Sequence, residues 1–229
     1  MNFNSYDNIK IKEGLNILLT LDWYLLANEL NEPSITHKLA EHYQHLFHEW
    51  NVDCEYNLNL EEPKEIFFNT KKILQQMANA LESNKYLLNN REIDFEHTTM
   101  EQMKDLERQL RHPELEFAEE LGVVYFILTL SDNNKVRKTI FPDIIIHQRG
   151  TTNNHIVIEA KKTTNTDVRA RGYDLVKLIN LVSSPDFHYR RGYFIDLPVG
   201  NDFSRFEKFL SPKEFNKGVY IIKPKWKVF

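Results

Sequence analysis

Apolar and polar positions change period several times along this chain, and each change marks an element. Leu15–Leu30 (LNILLTLDWYLLANEL) is apolar on most sides, with Leu15, Leu18, Leu19, Trp23, Leu25 and Leu26 available to a buried helix. Asp22 interrupts the run, Glu13 precedes it and no small-residue cleavage site follows. It also falls short of the ~18 unbroken apolar residues of a membrane span, so it reads as a packing helix and not as an anchor or signal. Asn31-Glu32-Pro33-Ser34 then forms a helix entrance with Pro near the first turn. At about 100° per residue, Ile35, Leu39, Tyr43, Leu46 and Phe47 fall on one stripe, which predicts a helix to about Phe47. Val52–Asn57 (VDCEYN) follows as the first core strand.

Lys64–Asn89 and Thr98–Glu120 are dense in helix formers and predict two helices joined around Asn89–Asp94. They form an insertion over 61–121, between N-terminal helices and first strand (1–60) and a core of sheet and helix (122–229), all within one domain. The period then shortens to that of strands. Gly122–Leu130 (GVVYFILTL) turns at Ser131–Asn134 into Val136–Phe141. Ile144–His147 and Ile156–Ile158 flank the polar turn Arg149–Asn154. Thr163–Asp167 caps a helix to about Ser183, with Val168, Leu175, Val176, Leu178, Ile179 and Val182 as buried positions. Tyr193–Leu197 is a further strand, and Phe203–Phe229 adds a helix and a last strand, Gly218–Lys223.

Composition narrows the class. A chain of 229 residues with 41% hydrophobic content can bury a sizeable core, and seven Gly and eight Pro argue against low complexity. A net charge of −4 excludes a dedicated, strongly basic nucleic-acid binder, although an enzyme that grips nucleic acid locally can carry it. A single Cys54 excludes an internal disulfide and a Cys-rich zinc site, and fits a reducing cytoplasm. The histidines His37, His42, His45 and His48 are spread around their helix and do not make a ligand set.

The candidate chemistry lies in Phe141–Lys162 (FPDIIIHQRGTTNNHIVIEAKK). Alternation puts Asp143, Ile145 and His147 on one face of the first strand, and Val157, Glu159 and Lys161 on one face of the second. If the chain folds back at Gly150–Asn154, Asp143 comes opposite residues ~159 to ~161. Two carboxylates and an ammonium then lie within roughly 5 to 8 Å of one another. Packing asks for no such repulsion, and a divalent cation held by the two acids would relieve it. An ammonium beside a metal-bound phosphate can position the attacking water and offset developing charge. The combination points to metal-assisted phosphodiester hydrolysis.

Pro142-Asp143, fifteen intervening residues and Glu159-Ala160-Lys161 resemble the PD-(D/E)xK signature of restriction-endonuclease-like nucleases. The sequence of a helix, VDCEYN, PDIIIHQRG and VIEAKK is similar to that of uncharacterised bacterial members of the superfamily. The resemblance implies an αβββαβ core with a mixed sheet, here carrying a helical insertion and a C-terminal strand extension. It implies that Asp143 and Glu159 hold Mg²⁺ or Mn²⁺, that the carbonyl of Ala160 joins them, and that Lys161 is catalytic. Glu32, at the inward edge of its helix, stands where the family often supplies a further acid; alternatively it only complements the helix dipole.

The implied activity is that of an endonuclease acting on DNA, with RNA left open and a role in bacterial defence or repair as the family's setting. Arg169 and Arg171 are candidates for backbone phosphate, with ordinary solvated arginines as the alternative, and Lys177 is a nucleic-acid candidate because it resembles a helix position of the related bacterial proteins where a Lys-Leu pair recurs. The lysine-rich C-terminus, from Lys213 to Lys227 with Tyr220 and Trp226, either contacts nucleic acid or protects an edge strand. The helices of 61–121 would cover substrate, form a dimer interface or dock a protein partner. A second reading keeps the signature in a nuclease-fold binding or regulatory subunit.

Overall fold

Helices on both faces of a mixed sheet, together with the strands of that sheet, account for most of the buried apolar residues. The computed structural model describes residues 3–60, 62–68, 87–88, 91–92, 136–206, 210 and 219–222. In chain order these give α1 (Phe3–Leu21), α2 (Trp23–Ala27), α3 (Glu32–Leu46), β1 (Asn51–Cys54), β2 (Glu65–Phe68) and β3 (Val136–Thr139). They continue with β4 (Ile144–His147), β5 (Asn154–Lys162), α4 (Val168–Ser183), β6 (Arg191–Leu197) and β7 (Val219–Ile222). A 3₁₀ turn spans Gly200–Arg205. Among the described residues no helix is long and apolar enough to cross a membrane.

The sheet has the order β1-β4-β5-β6-β7. β1, β4 and β5 are successive antiparallel neighbours, β6 runs parallel to β5, and β7 runs antiparallel to β6. α4 is the crossover that a parallel β5–β6 pair requires. Ile144 pairs with Ile158 and Ile145 with Val157, and just before this ladder begins Asp143 accepts the Ala160 N–H through its side chain.

Alternation sorts the two faces. Ile144, Ile146, Ile156, Ile158, Ala160, Tyr193, Ile195 and Leu197 join Ile11, Leu15, Leu18, Leu26, Ile35, Leu39 and Tyr43 of the N-terminal helices in one apolar core. α4 covers the other face against β5 and β6, burying Leu175, Val176, Leu178, Ile179 and Val182. Covering on both sides explains why β5 is buried along nearly its whole length, with Ile156, Val157 and Ile158 successive apolar positions. The edge strand β1 is tied to β4 by Asp53, whose carboxylate lies 2.8 Å from His147 Nε2 and also takes the Arg149 guanidinium.

Several expectations change. The run Leu15–Leu30 is two helices, because the chain bends at Asp22, whose carboxylate meets His42 Nε2 at 2.6 Å. Trp23 is consequently 51% exposed and is not a packing position. The helix expected over Lys64–Asn89 gives way at Glu65–Phe68, where Ile66, Phe67 and Phe68 form a strand paired with Val136–Thr139. β-prone side chains with a partner strand at hand outweigh the helix formers beyond them. Leu87–Leu88 is likewise a strand, paired with Arg91–Glu92. The Thr98–Glu120 helix, the Gly122–Leu130 strand and the C-terminal lysines lie outside the described residues. The helix expected after Phe203 opens as a 3₁₀ turn, while the last strand is present as β7.

Candidate active site

The site is built at the point where β4 begins and β5 ends. β5 runs several residues past the first residue of β4, which frees the Ala160 backbone from that ladder, and the Ala160 N–H donates instead to Asp143 Oδ2 (2.8 Å). In extended backbone a residue's N–H and C=O point to the same edge, so the Ala160 carbonyl also faces the Asp143 side. Glu159 and Lys161 project toward α4, whose Asp174 and Lys177 meet them one helical turn apart. Asp167 starts that helix by accepting the Ala170 N–H (3.1 Å).

Glu32 arrives from the opposite side, as the first residue of α3. The Asn31 side chain caps this helix by accepting the Ser34 N–H (2.9 Å). The preceding loop is fastened to the end of β5: Thr164 Oγ1 donates to Glu29 Oε1 (2.5 Å), and Lys162 Nζ lies 3.7 Å from the same oxygen. These contacts carry the Glu32 carboxylate to 2.5 Å from Lys161 Nζ.

Two lysines therefore sit among four acids. Lys161 Nζ lies between Glu32 Oε1 and Asp174 Oδ2 (3.0 Å). Lys177 Nζ lies 2.7 Å from Glu159 Oε2, 2.9 Å from Asp174 Oδ1 and 3.1 Å from the Phe141 carbonyl oxygen. Glu159 is fully buried, and its Oε1 has no hydrogen-bond partner among the described residues.

The electrostatics follow from this enclosure. Burial pushes the Asp143 carboxyl up to about 6, against the pull of Lys161, Lys177 and the Ala160 N–H. Burial raises Glu159 well above the usual carboxylate range; Lys177 opposes the shift and Asp143 and Asp174 add to it. For both lysines burial acts to lower the value but is outweighed. Lys161 is raised by Asp174, Asp143 and Glu32, and Lys177 by Glu159, Asp174 and Asp143. The ammonium form of each is thus favoured.

The donors suit one kind of cation. Among the described residues no group of three or more His, Cys, Asp or Glu side chains is placed to hold a metal ion. Two carboxylates, a carbonyl and water suit Mg²⁺, which keeps several waters and takes one or two protein carboxylates. The Glu159 Oε1 without a hydrogen-bond partner and the Asp143 carboxylate, whose Oδ2 accepts the Ala160 N–H, are the oxygens that could meet it.

The structure brings Asp143, Glu159, Ala160, Lys161 and Glu32 together, but the Glu32 carboxylate meets Lys161 instead of completing a three-acid set. The arginine and lysine candidates for nucleic acid are placed differently. Arg171 is buried, with its guanidinium 3.1 Å from Asp196 and over the Phe194 ring. Lys177 lies within the acid cluster. Arg169 is in the first turn of α4, outside the residues whose side chains are described. Asp174 escaped sequence reading; the available signal was its spacing of three from Lys177 on the inward side of an amphipathic helix. Comparison with protein-family models, with curated proteins and with solved structures finds no match for this chain.

Proposed function

We propose that the chain is a divalent-cation-dependent nuclease of the PD-(D/E)xK kind, cutting DNA phosphodiester bonds. The observation that carries this is the fully buried Glu159 near Asp143, whose Oδ2 accepts the Ala160 N–H, with Lys161 next along the strand and a Glu159 Oε1 that lacks a hydrogen-bond partner among the described residues. Such an oxygen is costly unless a donor or a cation meets it. With all four acids ionised, as a bound cation would require of Asp143 and Glu159, Glu32, Asp143, Glu159 and Asp174 against Lys161 and Lys177 leave two negative charges, the complement of one divalent ion. The order α3, β1, β4, β5, α4, β6 also supports the reading, because it runs in the αβββαβ sequence the resemblance implies. The lone Cys54 supports a cytoplasmic setting.

Asp143, Glu159 and the Ala160 carbonyl would hold Mg²⁺ or Mn²⁺. The bound ion would supply Lewis-acid stabilisation of the phosphate and a more acidic water. The chain's own part is geometric. Glu32 and Asp174 fix the Lys161 ammonium, which faces the phosphate and orients the water that adds to phosphorus as the P–O ester bond breaks. Water supplies the proton that the departing oxygen takes up.

The test is cleavage of plasmid DNA with Mg²⁺ or Mn²⁺ by the wild-type chain and by Lys161→Ala. Cleavage by the first and a loss of a hundredfold or more in the second, on the order of general-acid/base and electrostatic contributions, supports the reading. Equal cleavage by both, or none by wild type on duplex DNA, single strands or RNA, overturns it.

A further inference from the structure

Lys177 makes contacts that a phosphate-binding lysine would not make. Its ammonium is buried, and three oxygens surround it: Glu159 Oε2 at 2.7 Å, Asp174 Oδ1 at 2.9 Å and the Phe141 carbonyl at 3.1 Å. The Phe141 carbonyl accepts a hydrogen bond from this ammonium, and the two carboxylates form ion pairs with it. Oε2 is the Glu159 oxygen that forms the ion pair, while neither Glu159 oxygen has a hydrogen-bond partner among the described residues. Asp174 divides its two oxygens, Oδ1 to Lys177 and Oδ2 to Lys161 (3.0 Å). One helical carboxylate thus touches both lysines, and one of those lysines also touches the buried glutamate.

We propose that Lys177, held by Asp174, is a positioning residue for the cation site: it takes one oxygen of Glu159 and leaves the other for the ion. This rests on the nuclease reading and deepens it. The partner of a metal-binding carboxylate fixes its orientation, and losing such a partner typically weakens metal binding about 10- to 100-fold. The sign of the effect is decisive. Coulomb's law alone gives the opposite result, because removing a positive charge beside a divalent ion strengthens binding. A lysine that merely repels the ion and one that orients its ligand therefore give effects of opposite direction.

The experiment measures Mn²⁺ affinity of the metal-free full-length chain by electron paramagnetic resonance, with circular dichroism to confirm the fold. Wild type, Asp143→Asn, Lys177→Met and Lys177→Arg are compared, and Lys177→Gln replaces the Met variant if that one does not fold. The expected result is binding by wild type, loss in Asp143→Asn, weakening by about tenfold or more in Lys177→Met and recovery to within about threefold of wild type in Lys177→Arg. Unchanged or tighter binding by Lys177→Met overturns the positioning role and leaves the nuclease reading in place. Unchanged Mn²⁺ affinity with a salt slope of DNA binding reduced by about one also overturns it, by assigning Lys177 to phosphate. No Mn²⁺ uptake by wild type, or uptake indifferent to Asp143→Asn, removes the cation site and with it both proposals.

Discussion

Asp143 is where sequence, geometry and electrostatics meet most closely. Its Oδ2 accepts the Ala160 N–H, and burial holds its carboxyl at about 6 instead of 3.8. A carboxyl whose folded value lies above its unfolded one favours folding while protonated. That contribution is complete below pH ~4 and is lost as pH rises through about 6. Metal-free wild type should therefore lose about 2 kcal/mol relative to Asp143→Asn between pH ~4 and ~7, after allowance for solvent screening. Urea unfolding of both proteins across this range measures the difference. A constant difference would show that the Asp143 carboxyl does not feel its enclosure. Asp143, Glu159 and Lys161 were legible because alternation along two strands is enough to place their side chains on shared faces. Asp174 and Lys177 were not, because a helix phase states which side faces inward but not which strand residue it meets. Lys177 was accordingly assigned to nucleic acid, whereas it neutralises a buried glutamate.

Among elements, the packing of α1 on α3 matters most, since α3 begins with Glu32. The two helices approach at Gly14, where an added Cβ would stand 2.2 Å from Tyr43 Cε1. Tyr43 is fully buried, and its hydroxyl donates to the Ile11 carbonyl at 3.1 Å, so its ring has little room to withdraw. Gly14→Ala should destabilise the protein by about 1–3 kcal/mol in spite of alanine's better helix propensity. Thermal denaturation checks this, and an unchanged or higher midpoint would mean that the ring moves aside at little cost. The stripe Ile35, Leu39, Tyr43 and Phe47 was plain from its period, and so were α4 and the strands β4 to β6. The break at Asp22 was less plain, because the His42 contact that holds the bend joins residues distant in sequence. The strand at Glu65–Phe68 was missed for the same reason, as its partner lies beyond residue 135.

At the scale of the whole molecule, the candidate site joins pieces that sequence keeps far apart. Glu32 comes from one side of the sheet, Asp143 and Glu159 from adjacent strands and Asp174 from the helix on the other side. An ion held by Asp143 and Glu159 would bind the folded chain and not the unfolded one, and so would stabilise it by mass action. At a hundredfold excess over its dissociation constant the gain is about 2.7 kcal/mol, or roughly 5–10 °C in midpoint for a chain of this size. Mn²⁺ or Mg²⁺ should raise the wild-type midpoint by that amount, and the rise should fall to near zero in Asp143→Asn and Glu159→Gln. Lys161→Ala should keep the rise while losing cleavage, because Lys161 is held by Glu32 and Asp174 and is not among the ion's ligands. Differential scanning calorimetry of the four proteins, with and without the ion, separates binding from catalysis. A rise of the same size in both acid variants would place the bound ion elsewhere on the molecule. Loss of the rise in Lys161→Ala would make that lysine part of the scaffold that brings the two acids together.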